Sequence, residues 1–314
     1  MSTQASRTPE PIELASGLRF PEGPVAMQDG SVVVVEIAAG KVTRIAPDGS
    51  MATVAEPGGG PNGASIGPDG KLYVCNNGAA FDFVEVGGIT LSHQPPTAHE
   101  GGRIERIDLE SGESEVLYED CGGRRLIAPN DLVFDGHDGF YFTDYGIRHE
   151  RASDRTGIYY ATADGSEIRE VVFPLDCPNG VGLSPDGSRL YVAETYTACV
   201  WWWEVTAPGE PATPAGLVPH GGNLLARLPG FQFLDSLAVE ADGNVCVATP
   251  GSGRISVLAP DDGALVEFVE TGDPLTTNVC FGGEGLRTAY VTLSGTGRLV
   301  SFDWPRRGLE LAHS

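Results

Sequence analysis

The chain has 314 residues, a formal net charge of −23, 43 glycines and 23 prolines, a composition typical of one domain with many tight turns. The charge argues against a nucleic-acid partner, because phosphates would be repelled, and no apolar run is long enough to predict a membrane span. The polar start, Met1 to Glu10, predicts no signal peptide, and six cysteines without a CxxC pair predict free thiols in a reducing, cytoplasmic compartment.

In chain order, residues 1–11 are predicted to be a mobile tail, and residues 12–314 a single domain built from one repeated unit. The unit is a polar turn, an apolar strand, an Asp-Gly turn and a second apolar strand. This pattern predicts a β-hairpin, because glycine tolerates the positive φ of the turn. About six copies recur at roughly 40 to 70 residues, beginning at Pro21, Pro61, Pro129, Cys177, Leu234 and Thr277.

Two further strand-like runs follow most copies, so that each repeat has four short strands. Four strands per repeat is the pattern of a propeller blade. The predicted fold is therefore all-β, a six-bladed β-propeller. The last repeat is one strand short, and the N-terminal run Ile12 to Leu14 is predicted to complete it and close the ring.

The second repeat is interrupted between its second and third strands by an insert at about residues 76–102. A loop this long in a compact domain is usually functional or disordered. Its phenylalanines, Phe81 and Phe83, favour an ordered flap over the channel. A flap would bring His93 or His99 within reach of the channel, although an isolated histidine is also typical of a surface.

One slot just before the innermost strand of each blade is polar in every repeat. Equivalent positions on inner strands surround the central channel of a propeller, so these side chains are predicted to form one ring. Asn and Asp are also common turn residues, but glutamate, which occupies the slot in the first copy, is a poor turn former. The six residues are Glu22, Asn62, Asn130, Asn179, Asp235 and Asn278.

The chemistry of this ring predicts one divalent cation in the channel. Every member offers oxygen and none offers a soft ligand, which favours a hard ion. Ca²⁺ is preferred because its coordination number and geometry are tolerant, with Mg²⁺, Mn²⁺ or Zn²⁺ as alternatives. Two carboxylates balance the charge of such an ion and leave positions for water or substrate.

At these residues the chain resembles the SMP-30/gluconolactonase family, six-bladed propellers that bind one divalent cation and hydrolyse sugar lactones, with some relatives hydrolysing organophosphates. The resemblance implies that Glu22, Asn179 and Asp235 are metal ligands and that Asn130 binds the metal or the substrate beside it. One departure is Ser236, where the family usually has glycine. The matching motifs are Phe20-Pro-Glu-Gly-Pro, Arg125-Leu-Ile-Ala-Pro-Asn-Asp, Tyr141-Phe-Thr-Asp, Cys177-Pro-Asn-Gly, Leu234-Asp-Ser-Leu and Thr277-Asn-Val-Cys-Phe-Gly-Gly.

These observations predict a metal-dependent lactonase that converts a sugar-type or related lactone to the hydroxy acid. Asp235 is the predicted general base, and Asp131 is the alternative base. Two other functions fit the same fold and cation: a phosphotriester hydrolase, and a calcium-binding propeller without catalysis. The predicted partner is a small-molecule lactone, and the residues predicted to bind it are Asn62, Asn130, His99 and Tyr145.

A competing motif, Gly63-Ala-Ser65-Ile-Gly67, matches the pattern of a nucleophile elbow. That motif requires a strand, a sharp turn and a helix. Here it lies in a repeat strand with no helix after it, so a Ser65 nucleophile is not predicted.

Overall fold

A computed structural model describes residues 5–313, which contain 30 β-strands and two single-turn 3-10 helices, at Ile37–Ala39 and Glu284–Leu286. Within this part of the chain, no helix has the length and apolar character needed to cross a membrane. The first strands are β1 (Ala5–Arg7) and β2 (Ile12–Ser16). Blade 1 contains β3 (Pro21–Ala26), β4 (Val32–Glu36), β5 (Lys41–Ile45) and β6 (Met51–Ala55).

Blades 2 and 3 follow, and blade 2 carries the insert. Blade 2 and its insert comprise β7 (Pro61–Ile66), β8 (Leu72–Asn76), the inserted hairpin β9 (Asp82–Val86) and β10 (Ile89–His93), then β11 (Arg103–Ile107) and β12 (Ser114–Tyr118). A small hairpin links the two blades, β13 (Asp120–Cys121) and β14 (Arg124–Arg125). Blade 3 contains β15 (Pro129–Phe134), β16 (Gly139–Asp144), β17 (Thr156–Thr162) and β18 (Ile168–Leu175).

The last three blades complete the ring. Blade 4 contains β19 (Pro178–Leu183), β20 (Arg189–Glu194), β21 (Cys199–Ala207), the short β22 (Glu210–Pro211) and β23 (Asn223–Arg227). Blade 5 contains β24 (Leu237–Val239), β25 (Val245–Thr249), β26 (Arg254–Leu258) and β27 (Leu265–Glu270). Blade 6 contains β28 (Thr276–Gly282), β29 (Thr288–Leu293) and β30 (Arg298–Asp303), with β2 as its outer strand.

Each blade is an antiparallel sheet, and the first strand of each blade contacts the first strand of the next all the way round, including β28 with β3. This arrangement confirms the predicted six-bladed propeller. The predicted Asp-Gly turns join the first two strands in blades 1 to 5. In blade 4, Asp186 Oδ1 accepts a hydrogen bond from the Ser188 amide at 3.0 Å, and Gly187 adopts a φ of 69°, which is rare for a residue with a side chain.

The N-terminal strand closes the ring as predicted. β2 pairs antiparallel with β30, with Ile12 opposite Ser301 and Ser16 opposite Arg298. Residues 5–7 differ from the predicted mobile tail, because β1 pairs in parallel with the outer strand β27 of blade 5. This pairing satisfies backbone groups along an edge that would otherwise be open. Residues 1–4 lie outside the described residues.

The core lies between the blades, where the apolar faces of neighbouring sheets pack together. Tyr73 of blade 2 meets Phe134 of blade 3 edge to face, with ring centroids 5.1 Å apart, and Phe140 lies 5.8 Å from the same tyrosine ring. Inner strands covered on both faces explain why the sequence shows continuous apolar runs as well as alternation. All six cysteines are free thiols, and four of them are buried.

The C-terminal segment crosses the end of the channel opposite the flap. Gly308 forms a bridge with Glu240, and the Leu309 amide donates to the Val239 carbonyl at 2.9 Å. The Glu240 side chain is fully buried and anchors this segment by accepting hydrogen bonds from Trp304 Nε1 at 2.6 Å and Arg306 Nε at 2.5 Å. Burial opposes the charge of Glu240, but Arg306, Asn244 and Trp304 outweigh it and lower the pKa of Glu240.

We expect Glu240→Gln to lower the free energy of unfolding by about 2 kcal/mol, because it weakens the charge-assisted hydrogen bonds that this buried carboxylate accepts from Trp304 and Arg306 and leaves Glu267 as the remaining counter-charge of Arg306. Urea unfolding at pH 7 measures the change. The matched control is Glu310→Gln, which breaks the exposed ion pair between Glu310 and Arg307 and is expected to cost less than about 1 kcal/mol. Equal effects of the two substitutions would contradict the anchoring role of Glu240.

Candidate metal and substrate site

The inner strands of the blades begin with an irregularity that places two successive residues at the channel. The strand register shifts between Glu22 and Val25 in β3, and equivalent shifts follow the first residue of β7, β15, β19 and β28. Such bulges re-aim side chains and are common beside functional sites. In blade 5, two residues oppose Ala248. The Asp235 amide donates to the Ala248 carbonyl, and the Ala248 amide donates to the Ser236 carbonyl.

Two successive layers of residues therefore line the narrow part of the channel, which we call the neck. The upper layer faces the cavity under the flap and consists of Glu22, Asn62, Asn130, Asn179, Asp235 and Thr277. The lower layer consists of the residues that follow them, Gly23, Gly63, Asp131, Gly180, Ser236 and Asn278. We refer to these sets as the upper layer and the lower layer.

The prediction that Asn278 completes the upper ring is wrong by one residue. Thr276 pairs with Leu293 as Pro129 pairs with Asp144, so Thr277 occupies the slot of Asn130. Asn278 belongs to the lower layer, where its Nδ2 donates to Glu22 Oε2 at 2.7 Å. The misalignment arose because the sixth copy lacks the Asp-Gly turn that marks the register in the other five repeats, and also lacks the proline that precedes the polar slot in four of them.

Glycine is required in the lower layer because the inner strands approach each other closely there. A Cβ atom added at Gly63 would lie 2.6 Å from the Asn130 carbonyl oxygen and 2.5 Å from the Asp131 Cα, which is closer than real Cβ contacts. The glycine that follows the polar slot in three blades is thus explained by packing at the neck. It allows the upper-layer side chains to converge.

Three carboxyl groups share the neck, and the pKa of each is raised above its usual value. Burial raises the pKa of Glu22, although hydrogen bonds from Asn278 and the Gly23 amide oppose this shift. Burial and the negative charge of Glu22 raise the pKa of Asp131 to about 7. Burial and the charges of Glu22 and Asp131 raise the pKa of Asp235 well above its usual range. Ionisation of all three is costly without a compensating positive charge.

Two amide oxygens of the upper layer lack a protein partner. Asn130 Oδ1 and Asn179 Oδ1 are buried and, within residues 5–313, accept no hydrogen bond, whereas Asn179 Nδ2 donates to Thr195 Oγ1 at 3.2 Å. Buried acceptors of this kind call for an explanation. They lie in the same layer as the carboxylates of Glu22 and Asp235, and four such oxygen donors are the ligand chemistry of a hard divalent cation.

This donor set contains two carboxylates rather than a larger acidic cluster. Across the described residues, no group of three or more His, Cys, Asp or Glu side chains is arranged to hold one ion. Asp131, the third carboxyl group at the neck, lines the cavity on the opposite side. A cation in the upper layer would therefore depend on the asparagine oxygens as well as on Glu22 and Asp235.

The upper layer forms the floor of a cavity of about 210 Å³. Its walls come from the insert and from the loops that precede the first strand or follow the second strand of a blade. Of the residues predicted to bind substrate, Asn62, Asn130 and Tyr145 line this cavity, and Tyr145 is buried. His99 does not line it, because its Nε2 lies 2.8 Å from the Ile127 carbonyl oxygen on an exposed part of the insert. His93, on the end of β10, lines the cavity instead.

The insert is an antiparallel hairpin that is fixed to two other blades. The Thr90 amide donates to the Gly295 carbonyl of blade 6 at 2.8 Å. Gln94 fixes the other side, because its Nε2 donates to the Ala80 and Gly146 carbonyls and its Oε1 accepts from the Arg148 amide at 3.0 Å. The hairpin therefore has a defined position over the cavity.

Sequence reasoning missed several residues of the cavity, including Phe20, Thr195, Phe233 and Thr277. Phe20 and Phe233 lie within two residues of the polar slots of their repeats, so their position in the repeat was a usable signal. Thr195 directly follows β20 and is brought to the cavity by its contact with Asn179, a relation that only the fold reveals. Ser65 lies inside β7 and lines the opposite cavity, in agreement with the absence of a nucleophile elbow.

Comparisons with known proteins bear on both the sequence and the fold. The sequence profile described as SMP-30/Gluconolactonase/LRE-like region matches residues 20–295. A gluconolactonase of Zymomonas mobilis is 28% identical over 313 residues, and the match covers 90% of this chain and 79% of that protein. A lactonase drp35 of Staphylococcus haemolyticus is 30% identical over 239 residues, covering 76% of this chain and 65% of that protein.

Two solved structures share the fold over nearly the whole chain. A gluconolactonase from Xanthomonas campestris superposes with a TM-score of 0.73 at 22% identity, covering 94% of this chain and 89% of that one. Regucalcin from Agrobacterium tumefaciens, described as a calcium-binding protein, superposes with a TM-score of 0.75 at 15% identity, covering 98% and 97%. At these identities the likeness concerns the fold alone.

Proposed function

The chain belongs to the SMP-30/gluconolactonase/LRE-like family, and from this premise we propose that it is a metal-dependent lactonase whose active site is the cavity above the upper layer. The observation that carries the proposal is the convergence of Asn130 Oδ1 and Asn179 Oδ1, both without a partner among the described residues, with two carboxylates on the cavity floor. Relatives named gluconolactonase and lactonase support the reaction class.

The residues that hold the cation in this proposal are Glu22, Asn130, Asn179 and Asp235, and Ca²⁺ is the preferred ion because such a mixed oxygen set tolerates its variable coordination. When bound, a divalent cation supplies Lewis-acid polarisation of the ester carbonyl. The net charge of the two carboxylates matches that of the ion. The fixed hydrogen bonds that Glu22 accepts from Gly23 and Asn278 hold its carboxylate in place before the ion arrives.

Asp235 is the proposed general base that takes a proton from the attacking water. Its carboxyl group lies on the cavity floor, and the Ser236 amide donates to its Oδ1 at 3.2 Å. The raised pKa of Asp235 in the metal-free protein would fall next to a cation, which leaves the carboxylate ionised and able to accept a proton. Asp131 is the weaker candidate because it lines the opposite cavity.

Metal removal tests the proposal. We expect protein treated with EDTA and dialysed into metal-free buffer to lose hydrolysis of lactones, followed by acid release, and to regain it when Ca²⁺ is added back. Parallel additions of Mg²⁺, Mn²⁺ and Zn²⁺ rank the ions. Hydrolysis that is unchanged after chelation would overturn the metal-dependent mechanism. Demonstrated Ca²⁺ binding without hydrolysis of any lactone would identify a calcium-binding propeller, and fluoride release from a fluorophosphate would identify a phosphotriesterase.

A further inference from the structure

The upper half of the cavity is aromatic, in contrast to its polar floor. Phe83 of the insert packs on Phe20 with ring centroids 5.0 Å apart, and Phe81 packs on Tyr145 at 5.5 Å. Phe233 closes the opposite side. We refer to Phe20, Phe81, Phe83, Tyr145 and Phe233 as the aromatic wall.

One member of the aromatic wall is held in a strained backbone conformation. Phe20 has a φ of 57°, a value that is rare for a bulky side chain. The Ile37 amide donates to its carbonyl at 3.1 Å, which fixes the residue at the edge of blade 1. Strain of this kind persists where the surrounding structure enforces it, and it occurs often at ligand sites. The ring of Phe20 is thus positioned before any ligand binds.

Three of the polar side chains that line the cavity, Gln94, Thr195 and Thr277, are already engaged with the protein. Both donors and the acceptor of Gln94 bond to backbone groups of the chain. Thr195 Oγ1 accepts from Asn179, and Thr277 Oγ1 lies within hydrogen-bond distance of Thr292 and Ser294. Asn62, Ser92 and His93 are the lining side chains that remain open to such bonds, so a ligand with several hydroxyl groups would lose more water contacts than these three can replace, which costs binding energy.

The charge of the cavity also restricts the ligand. Among the described residues that line it, none is lysine or arginine. Arg148, a neighbouring cation, stacks on Tyr196 at 3.9 Å and pairs with Asp176 at 3.5 Å. With Glu22 and Asp235 balancing the charge of the proposed cation, a phosphate or carboxylate substituent away from the floor would find no arginine or lysine in the lining to pair with it.

From these features we infer that the substrate is a lactone carrying an apolar alkyl or aryl substituent, and neither a polyhydroxylated nor an anionic one. The inference rests on the proposed lactonase function. The ester group lies toward the polar floor, and the substituent packs against Phe20, Phe81 and Phe83. Burial of each added CH₂ group favours binding about fourfold. A lactone with a three-carbon chain is therefore expected to have a kcat/KM at least about tenfold above that of the same lactone without the chain.

Three lactones with the same six-membered ring test the inference: δ-valerolactone, δ-octanolactone, which adds a propyl chain, and δ-gluconolactone, which adds hydroxyl groups. We expect kcat/KM to be at least about tenfold higher for δ-octanolactone than for δ-valerolactone, and lowest for δ-gluconolactone, after subtraction of spontaneous hydrolysis. If the metal-bound protein hydrolyses none of the three lactones, the result contradicts the proposed lactonase function. Preference for δ-gluconolactone, or no preference for the propyl chain, overturns this inference alone.

Substitutions in β9 assign the preference to the aromatic wall. Phe83→Ser is expected to reduce the ratio of kcat/KM between δ-octanolactone and δ-valerolactone at least fivefold, whereas Phe83→Leu retains most of it. The matched control is Val84→Ser, because Val84 is the next residue of the same strand and is 45% exposed on its other face. A ratio unchanged in Phe83→Ser, or reduced equally in Val84→Ser, would contradict the role of Phe83.

Discussion

Asp235→Asn is expected to lower kcat for lactone hydrolysis by about 10²- to 10⁴-fold at saturating metal, the range that a general base contributes. Asparagine has nearly the same shape and retains an oxygen for the cation and for the Ser236 amide. It cannot accept a proton from water, and it removes one negative charge, so metal affinity should also fall. Titration calorimetry measures the affinity, and initial rates at saturating metal measure the chemistry.

The matched variant is Asn179→Asp, which adds a carboxylate in the same layer. It should bind the cation more tightly because Asn179 Oδ1 is buried and, within residues 5–313, has no partner. It should also turn over more slowly, since a third negative charge reduces polarisation of the ester. Near-normal turnover of Asp235→Asn with metal bound would leave Asp235 as a ligand only. Unchanged metal affinity in both variants would place neither residue on the cation.

The architecture was predictable from the sequence because the repeats carry local signals that the structure uses directly. The Asp-Gly turns fix the hairpins through their own side chains, as at Asp186, and the missing strand of blade 6 identified β2 as its partner. Residues 5–7 could not be predicted in the same way. Their pairing with β27 depends on an open outer edge, which three residues of sequence do not reveal.

The site was predictable only where the repeat signal was intact. The slots of Glu22, Asn62, Asn130, Asn179 and Asp235 follow from position in the repeat, and all five face one cavity. Asn278 was misplaced because its repeat lacks the register markers. His99 was assigned to the cavity by its presence in the insert, but the fold of the hairpin turns it toward Ile127 and brings His93 inward. Long-range geometry of this kind is set by contacts with other blades.

Glu22→Gln is expected to separate two effects of the carboxyl groups at the neck: their destabilisation of the metal-free fold and their role in binding the cation. In the metal-free protein, burial raises the pKa values of Glu22, Asp131 and Asp235, the charge of Glu22 adds to the shifts of the two aspartates, and the pKa of Asp131 reaches about 7. A carboxyl group with a raised pKa in the folded state favours folding below its unfolded pKa, about 4. That contribution to stability is lost as the pH rises through the pKa that the carboxyl group has in the folded state. The metal-free protein should therefore lose stability between about pH 4 and pH 7 from this cluster.

We expect metal-free Glu22→Gln to melt at a higher temperature than the parent at pH 8 and to show a weaker decline of Tm with pH. The metal response should change in the opposite direction. Ca²⁺ at about 100 times its Kd stabilises the parent by about 2.7 kcal/mol, or several degrees in Tm, and this gain should largely disappear in the variant because one of two charged ligands is gone. Differential scanning calorimetry with and without Ca²⁺ at pH 5, 6.5 and 8 measures both effects.

The control for this experiment is Glu105→Gln, another buried glutamate, which is paired with Arg103 at 2.7 Å and lies in β11 of blade 2. Its neutralisation should lower the Tm of the metal-free protein and leave the Ca²⁺ response intact. A full Ca²⁺ response in Glu22→Gln would remove Glu22 from the metal site. A lower metal-free Tm would show that the hydrogen bonds from Gly23 and Asn278 to Glu22 outweigh its repulsion with Asp131 and Asp235. Together the two variants distinguish a carboxylate kept for binding a cation from one kept for the stability of the fold.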